Sequence, residues 1–195
     1  MPRKVEKIIA VEVVEPNSCW DYRETRVLTN FICKKDEAEK VIVDMDRRDY
    51  WKHKKNYSDE VKAILAPAGT RNASMVFFGD DVNVEEVKLP ANVKDSTKYV
   101  YKVYDYVGEK LTAEYGTQKD ALSAITKKIK TKYAYVTYNG ETRKIECTPK
   151  AVTDILNGLE ETTSQFEIES VGRSGNTSDT ILVSIFKNQI KTKGE

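Results

Sequence analysis

Two hydrophobic rhythms alternate along this chain, one with the two-residue period of a strand and one with the longer period of a helix. Residues 5–14 (VEKIIAVEVV) are rich in Val and Ile and predict a strand that Pro16, Asn17 and Ser18 end. Residues 25–33 (TRVLTNFIC) predict a second, so the two read as a hairpin whose long loop carries Cys19, Trp20 and Tyr22. Ala38, Val41, Ile42 and Met45 then recur at helical spacing behind Asp36, a residue suited to capping. A further short helix is predicted from Ser58, with Val61, Ile64 and Leu65 inward. After a loop (APAGTRN), residues 74–78 and 82–89 predict strands around a Gly79-Asp80-Asp81 turn.

The polar stretch 90–97 (PANVKDST) opens with Pro90 and reads as a linker. Beyond it the rhythm sharpens. Residues 98–106 and 109–115 bracket Val107-Gly108 as a hairpin. Thr117 and Asp120 have the spacing of a capping box, ahead of a helix that buries Ala121, Leu122, Ala124, Ile125 and Ile129. Residues 132–138 and 142–147 flank Asn139-Gly140, a pair that tolerates the positive φ of a tight hairpin turn. Thr148-Pro149 starts another helix, with Ala151, Val152, Ile155, Leu156 and Leu159 inward and Asn157-Gly158 as its expected end. Residues 165–171 and 180–187 form a last strand pair across the loop GRSGNTSD.

A hairpin-then-helix unit thus recurs near residues 5, 98 and 132, a weak internal repeat. The expected fold is α+β, built of repeated ββα units with antiparallel sheets. It divides into an N-terminal subdomain (1–89), the linker (90–97) and a C-terminal ββα-ββα-ββ subdomain (98–195).

Composition narrows the classes of function. The 195 residues carry 32 basic and 31 acidic side chains, a net charge of +1, so no chain-wide pull toward nucleic acid or anionic lipid is expected. No apolar run approaches the ~18–20 residues of a membrane-spanning helix, and the charged N-terminus does not read as a signal peptide. Cys19, Cys33 and Cys147 are odd in number and unpaired in motif, which fits a reducing compartment, hence a cytoplasmic location. The sequons at Asn56, Asn72 and Asn176 then carry no weight.

Candidate chemistry is sparse. His53, the single histidine, lies among lysines that oppose an imidazolium, so a relay or a histidine-based zinc site is not expected. Asp44 and Asp46 form a DxD motif on a predicted helix, where residues two apart diverge. Asp80, Asp81, Glu86 and Lys88 loosely match the acidic and lysine set of metal-dependent nucleases. No phosphate-binding glycine pattern occurs, and neither a cofactor nor a metal is expected.

Tyrosine is the informative bias, with 11 in the chain. Tyr99 and Tyr101 share a face of one strand and Tyr133 and Tyr135 a face of another. If those strands are neighbours, four rings line one surface, with Lys127, Lys128, Lys130, Lys132, Arg143 and Lys144 close in sequence. Such a surface suits protein recognition, because tyrosine offers a large contact at low entropic cost. It also suits single-stranded nucleic acid, where rings stack on bases and cations follow phosphates. The competing reading packs the tyrosines against the helices with their hydroxyls at the rim.

The segment YKVYDYVGEKLTAEYGTQKDALSAI resembles, in style, strand-turn-strand-helix elements common in small proteins of phages and mobile elements. The resemblance implies an accessory protein and assigns no site residue. The leading expectation is a non-enzymatic binding protein that contacts a protein or nucleoprotein complex in the host cytoplasm, in its concrete form an inhibitor of a host defence complex. The alternatives are a single-strand-binding module using the tyrosine and lysine surface, a self-associating virion or assembly subunit, and a metal-dependent nuclease.

Overall fold

A computed structural model describes residues 6–15, 26–38, 75–77, 80–105, 111–172 and 177–190. Among them are ten strands and two α-helices, a mixed α+β fold rich in sheet. The chain divides into two compact units, residues 1–88 with 188–195, and residues 89–187.

The first unit contains β1 (Ile8–Glu15), β2 (Arg26–Lys34), β3 (Met75–Phe77) and β4 (Asp80–Val87), in the order β3-β4-β1-β2. Every pairing is antiparallel. Ile9, Ala10 and Val11 are buried in succession, as are Phe31, Ile32 and Cys33, so both faces of β1 and β2 are covered. That explains why these strands read as nearly continuous apolar runs rather than alternating ones. The turn expected at Gly79-Asp80-Asp81 is corrected: Phe77 pairs with Asp80, which puts both aspartates in the first residues of β4. A 3-10 turn spans Lys35–Glu37 and Ala38 after it is buried; the rest of the helix expected through Met45, the helix expected from Ser58, and Asp44, Asp46, His53 and Cys19 lie outside the described residues.

The second unit contains β5 (Tyr99–Asp105), β6 (Leu111–Gly116), α1 (Gln118–Lys128), β7 (Tyr133–Tyr138), β8 (Glu141–Glu146), α2 (Pro149–Leu159), β9 (Gln165–Val171) and β10 (Thr177–Asn188). Its pairings are all antiparallel and give the order β6-β5-β10-β9-β7-β8. The hairpins β5–β6 and β7–β8 therefore do not touch; the last hairpin of the chain separates them. Residues 90–97 form two successive turns, closed by hydrogen bonds from the Val93 N–H to the Pro90 carbonyl (3.0 Å) and from the Thr97 N–H to the Lys94 carbonyl (2.9 Å).

One core fills the space between the helices and one sheet face. Tyr101, Val103, Ala134, Val136, Phe166, Ile168, Ile181, Val183 and Ile185 project from the strands to meet Ala121, Ala124 and Ile125 of α1 and Val152, Leu156 and Leu159 of α2. The helix ends follow from side-chain chemistry. The Asp120 carboxylate accepts from the Thr117 N–H (2.9 Å) and from the Asn92 side chain (3.0 Å), which ties the start of α1 to the preceding turns. The Thr148 hydroxyl accepts from the Ala151 N–H (3.2 Å), with Pro149 in the first turn of α2. α2 does not end at Asn157-Gly158 but runs through Gly158 to Leu159, because burial of Leu159 in the core holds the last turn.

Candidate functional site

Strand alternation sorts the candidate residues onto two faces. Tyr101 is buried and Tyr99 half-buried on the helix side. The Tyr101 hydroxyl donates to the Glu160 carboxylate of the chain leaving α2, and Gln118 joins the same group, its amide donating to Glu160 (3.0 Å) and Asn157 (2.7 Å). Burial first, and the Glu160 carboxylate second, push the Tyr101 phenol far above its ordinary range. Tyr99 and Tyr101 thus pack on the helix side of the sheet, with the Tyr101 hydroxyl taken up by Glu160.

Tyr133 and Tyr135 alternate with the core residues Ala134 and Val136, so they point to the other face of β7. β5 and β7 are also separated by β10 and β9, about 14 Å at the usual strand spacing. The expected four-tyrosine surface is therefore corrected to a pair. The two tyrosine strands belong to consecutive hairpins in sequence, yet the chain threads β9 and β10 between them.

The basic residues divide likewise. Lys128 is committed to structure: its ammonium bonds Asp105 at 2.6 Å and lies 3.7 Å from Asp179, contacts that raise its pKa. Lys127 is exposed on α1 and Lys130 beyond its end. Arg143 pairs with Val136 and so falls on the helix side of β8, exposed at the sheet edge. Lys132 and Lys144 come to the tyrosine pair, their ammonium groups lying 5.3 Å and 4.8 Å from the Tyr133 ring centroid. That range is the reach of a cation–π contact. Tyr133 is 38% exposed, the most of any large hydrophobic side chain among the described residues.

Registration shows what else faces outward. Tyr135 lies opposite Lys144 on β8 and Glu169 on β9, while Thr137 lies opposite Thr142 and Glu167. The two threonine hydroxyls bond each other at 3.0 Å. Burial, then the neighbouring Glu169, push the Glu167 carboxyl above the ordinary range. The face is therefore a mixed one: Lys144 and Glu146 on the β8 side, Glu167 and Glu169 on the β9 side, tyrosines between. Glu167 and Glu169 were not singled out from sequence, although the alternation QFEIESV places them outward; what it does not give is their neighbour.

The proposed carboxylate and lysine set does not assemble. Asp80 and Glu86 stand six residues apart along one strand, about 20 Å, and Glu86 bonds Lys7 (3.1 Å) and Lys35 (3.2 Å). Among the described residues no group of three metal-ligating side chains is found, and no helix is long and apolar enough to cross a membrane. Cys33 is fully buried, and burial pushes its thiol up to about 12; Cys147 is half-buried with its thiol also raised, so neither has the lowered pKa of a reactive thiol. Comparison with known proteins finds no matching family model, no matching curated protein and no matching solved structure.

Proposed function

We propose that this protein is a non-enzymatic binding protein that acts through protein–protein contacts, with the outer face of β9, β7 and β8 as its contact surface. The observation that supports this reading is the exposed Tyr133 ring, set beside Tyr135 and flanked by Lys132 and Lys144. An aromatic anchor ringed by charged side chains is the usual composition of a recognition patch. Its charge is balanced rather than basic, since Glu146, Glu167 and Glu169 share the face with Lys144. That balance favours a protein over a polyanion, and it places single-stranded nucleic acid second. The concrete version, an accessory protein of a phage or mobile element that inhibits a host complex, rests on the sequence resemblance alone.

The test is an affinity capture from cell lysate with and without nuclease, using wild type and a Tyr133→Ala/Tyr135→Ala variant of unchanged circular dichroism. The expected result is a protein that survives nuclease on the wild type and is lost from the variant. A partner lost with nuclease would move the assignment to nucleic acid. A partner retained by the variant would remove this face.

A further inference from the structure

One cross-strand row on the contact face has an arrangement with a specific consequence. Lys144 of β8, Tyr135 of β7 and Glu169 of β9 stand directly opposite one another. Directly opposed residues of antiparallel strands project to the same side. The row therefore reads cation, ring, carboxylate, with the two charges about 5 Å to either side of the ring's strand. Among the described residues neither Lys144 nor Glu169 has an ion-pair partner, the Lys144 ammonium lying 4.8 Å from the centre of the Tyr133 ring.

Such a row is its own complement. A two-fold axis parallel to β7, lying just above the face, carries each side of the row onto the other. Lys144 of one copy then meets Glu169 of the second, Glu169 meets Lys144, and Tyr135 meets Tyr135. A two-fold axis perpendicular to the strands would instead stack β8 on β8, lysine over lysine. Of the two neighbouring rows, Thr142–Thr137–Glu167 fits the first axis, its hydroxyl and carboxylate meeting, whereas Glu146–Tyr133–Val171 at the end of the face brings Glu146 to Val171 and adds no charge pair. Closed two-fold pairing through one self-complementary patch is the commonest form of homo-oligomer.

Resting on the contact face assigned above, we propose that its occupant is a second copy of this chain, seated sheet face to sheet face about a two-fold axis along β7. Three strands of six or seven residues span about 14 Å by 20 Å. That is smaller than a permanent interface, so the dimer is a weak, concentration-dependent one. It gives the face a self-associated and a free form, which compete for any other protein that uses Tyr133 and Tyr135.

The test is sedimentation velocity of the full chain from 5 to 500 µM, a range on the order of that for weak dimers. It compares wild type, Lys144→Glu, Glu169→Lys, and an equal mixture of the two variants. In either variant alone, like charges meet at both contacts, and the dissociation constant rises by roughly tenfold or more. In the mixture, the glutamate introduced in the first variant meets the lysine introduced in the second. The native Glu169 of the first likewise meets the native Lys144 of the second, so the dimer returns as a heterodimer. Recovery of the dimer only on mixing supports the proposal, and a general loss of folding cannot produce it. A wild type monomeric throughout overturns self-association but leaves capture of a heterologous protein through Tyr133 and Tyr135 intact. A dimer insensitive to both charge reversals overturns this geometry.

Discussion

Two single positions show how environment sets a residue's behaviour. Cys33 sits within β2 with no exposure, and burial, aided by nearby Glu37, pushes its thiol from 9.0 up to about 12. Because the folded pKa lies above the unfolded one, the thiol's contribution is fully present below pH 9 and is lost as pH rises toward 12. Urea unfolding at pH 8 and pH 10.5 should show a loss of stability that is smaller in Cys33→Ala, although that variant starts less stable. Equal losses in both proteins would contradict the assignment. Gly116 ends β6 where it meets α1, and a Cβ there would lie 2.6 Å from Asp120. The glycine is thus a requirement of the capping contact, and Gly116→Ala should cost about 1–3 kcal/mol in chemical denaturation. Its role was not legible in sequence, because the pattern there shows a capping box and not how closely the strand approaches it.

Elements were the most readable level. The Asn139-Gly140 turn forms with φ of 47° and 78°, as the sequence requires for a tight hairpin between strands of matched register. Thr117 and Thr148 start their helices as expected, and the periodic residues of both helices, Ala151 excepted, belong to the core. What local pattern misread was the end of α2, because Asn-Gly is a stop signal only when nothing apolar beyond it is pulled into the core. The two glycines therefore predict opposite outcomes. A Cβ meets nothing at Gly140 or at Gly158, but Gly140 alone has a positive φ. Gly140→Ala should destabilise by about 1–2 kcal/mol, from backbone strain. Gly158→Ala, inside a helix, should stabilise by about 0.5–1 kcal/mol. Paired thermal melts read both signs.

At the scale of the whole molecule, sequence reached the mixed α+β class but not the order of strands. Antiparallel hairpins along the chain are each local, whereas the placement of β9 and β10 between β5 and β7 is a long-range choice that no local period encodes. That choice divides the tyrosines, buries Tyr101 beneath α2, and sets Glu169 beside Tyr135. β8 lies at the end of the sheet order and is charged along its length, a composition that discourages another strand from adding there. The proposed association uses the sheet face instead, where side chains rather than open backbone groups would decide the partner.

The measurement that tests this most directly is a titration of the nuclease-resistant partner against wild type, Tyr135→Ala and Lys127→Ala/Lys130→Ala. Residues Lys127 and Lys130 lie on and after α1, away from the row of Tyr135, and serve as the control. Affinity is expected to be roughly 10- to 100-fold weaker for Tyr135→Ala and unchanged for the lysine pair. Affinity that falls with the lysine pair and holds with Tyr135→Ala would contradict the assignment of this face.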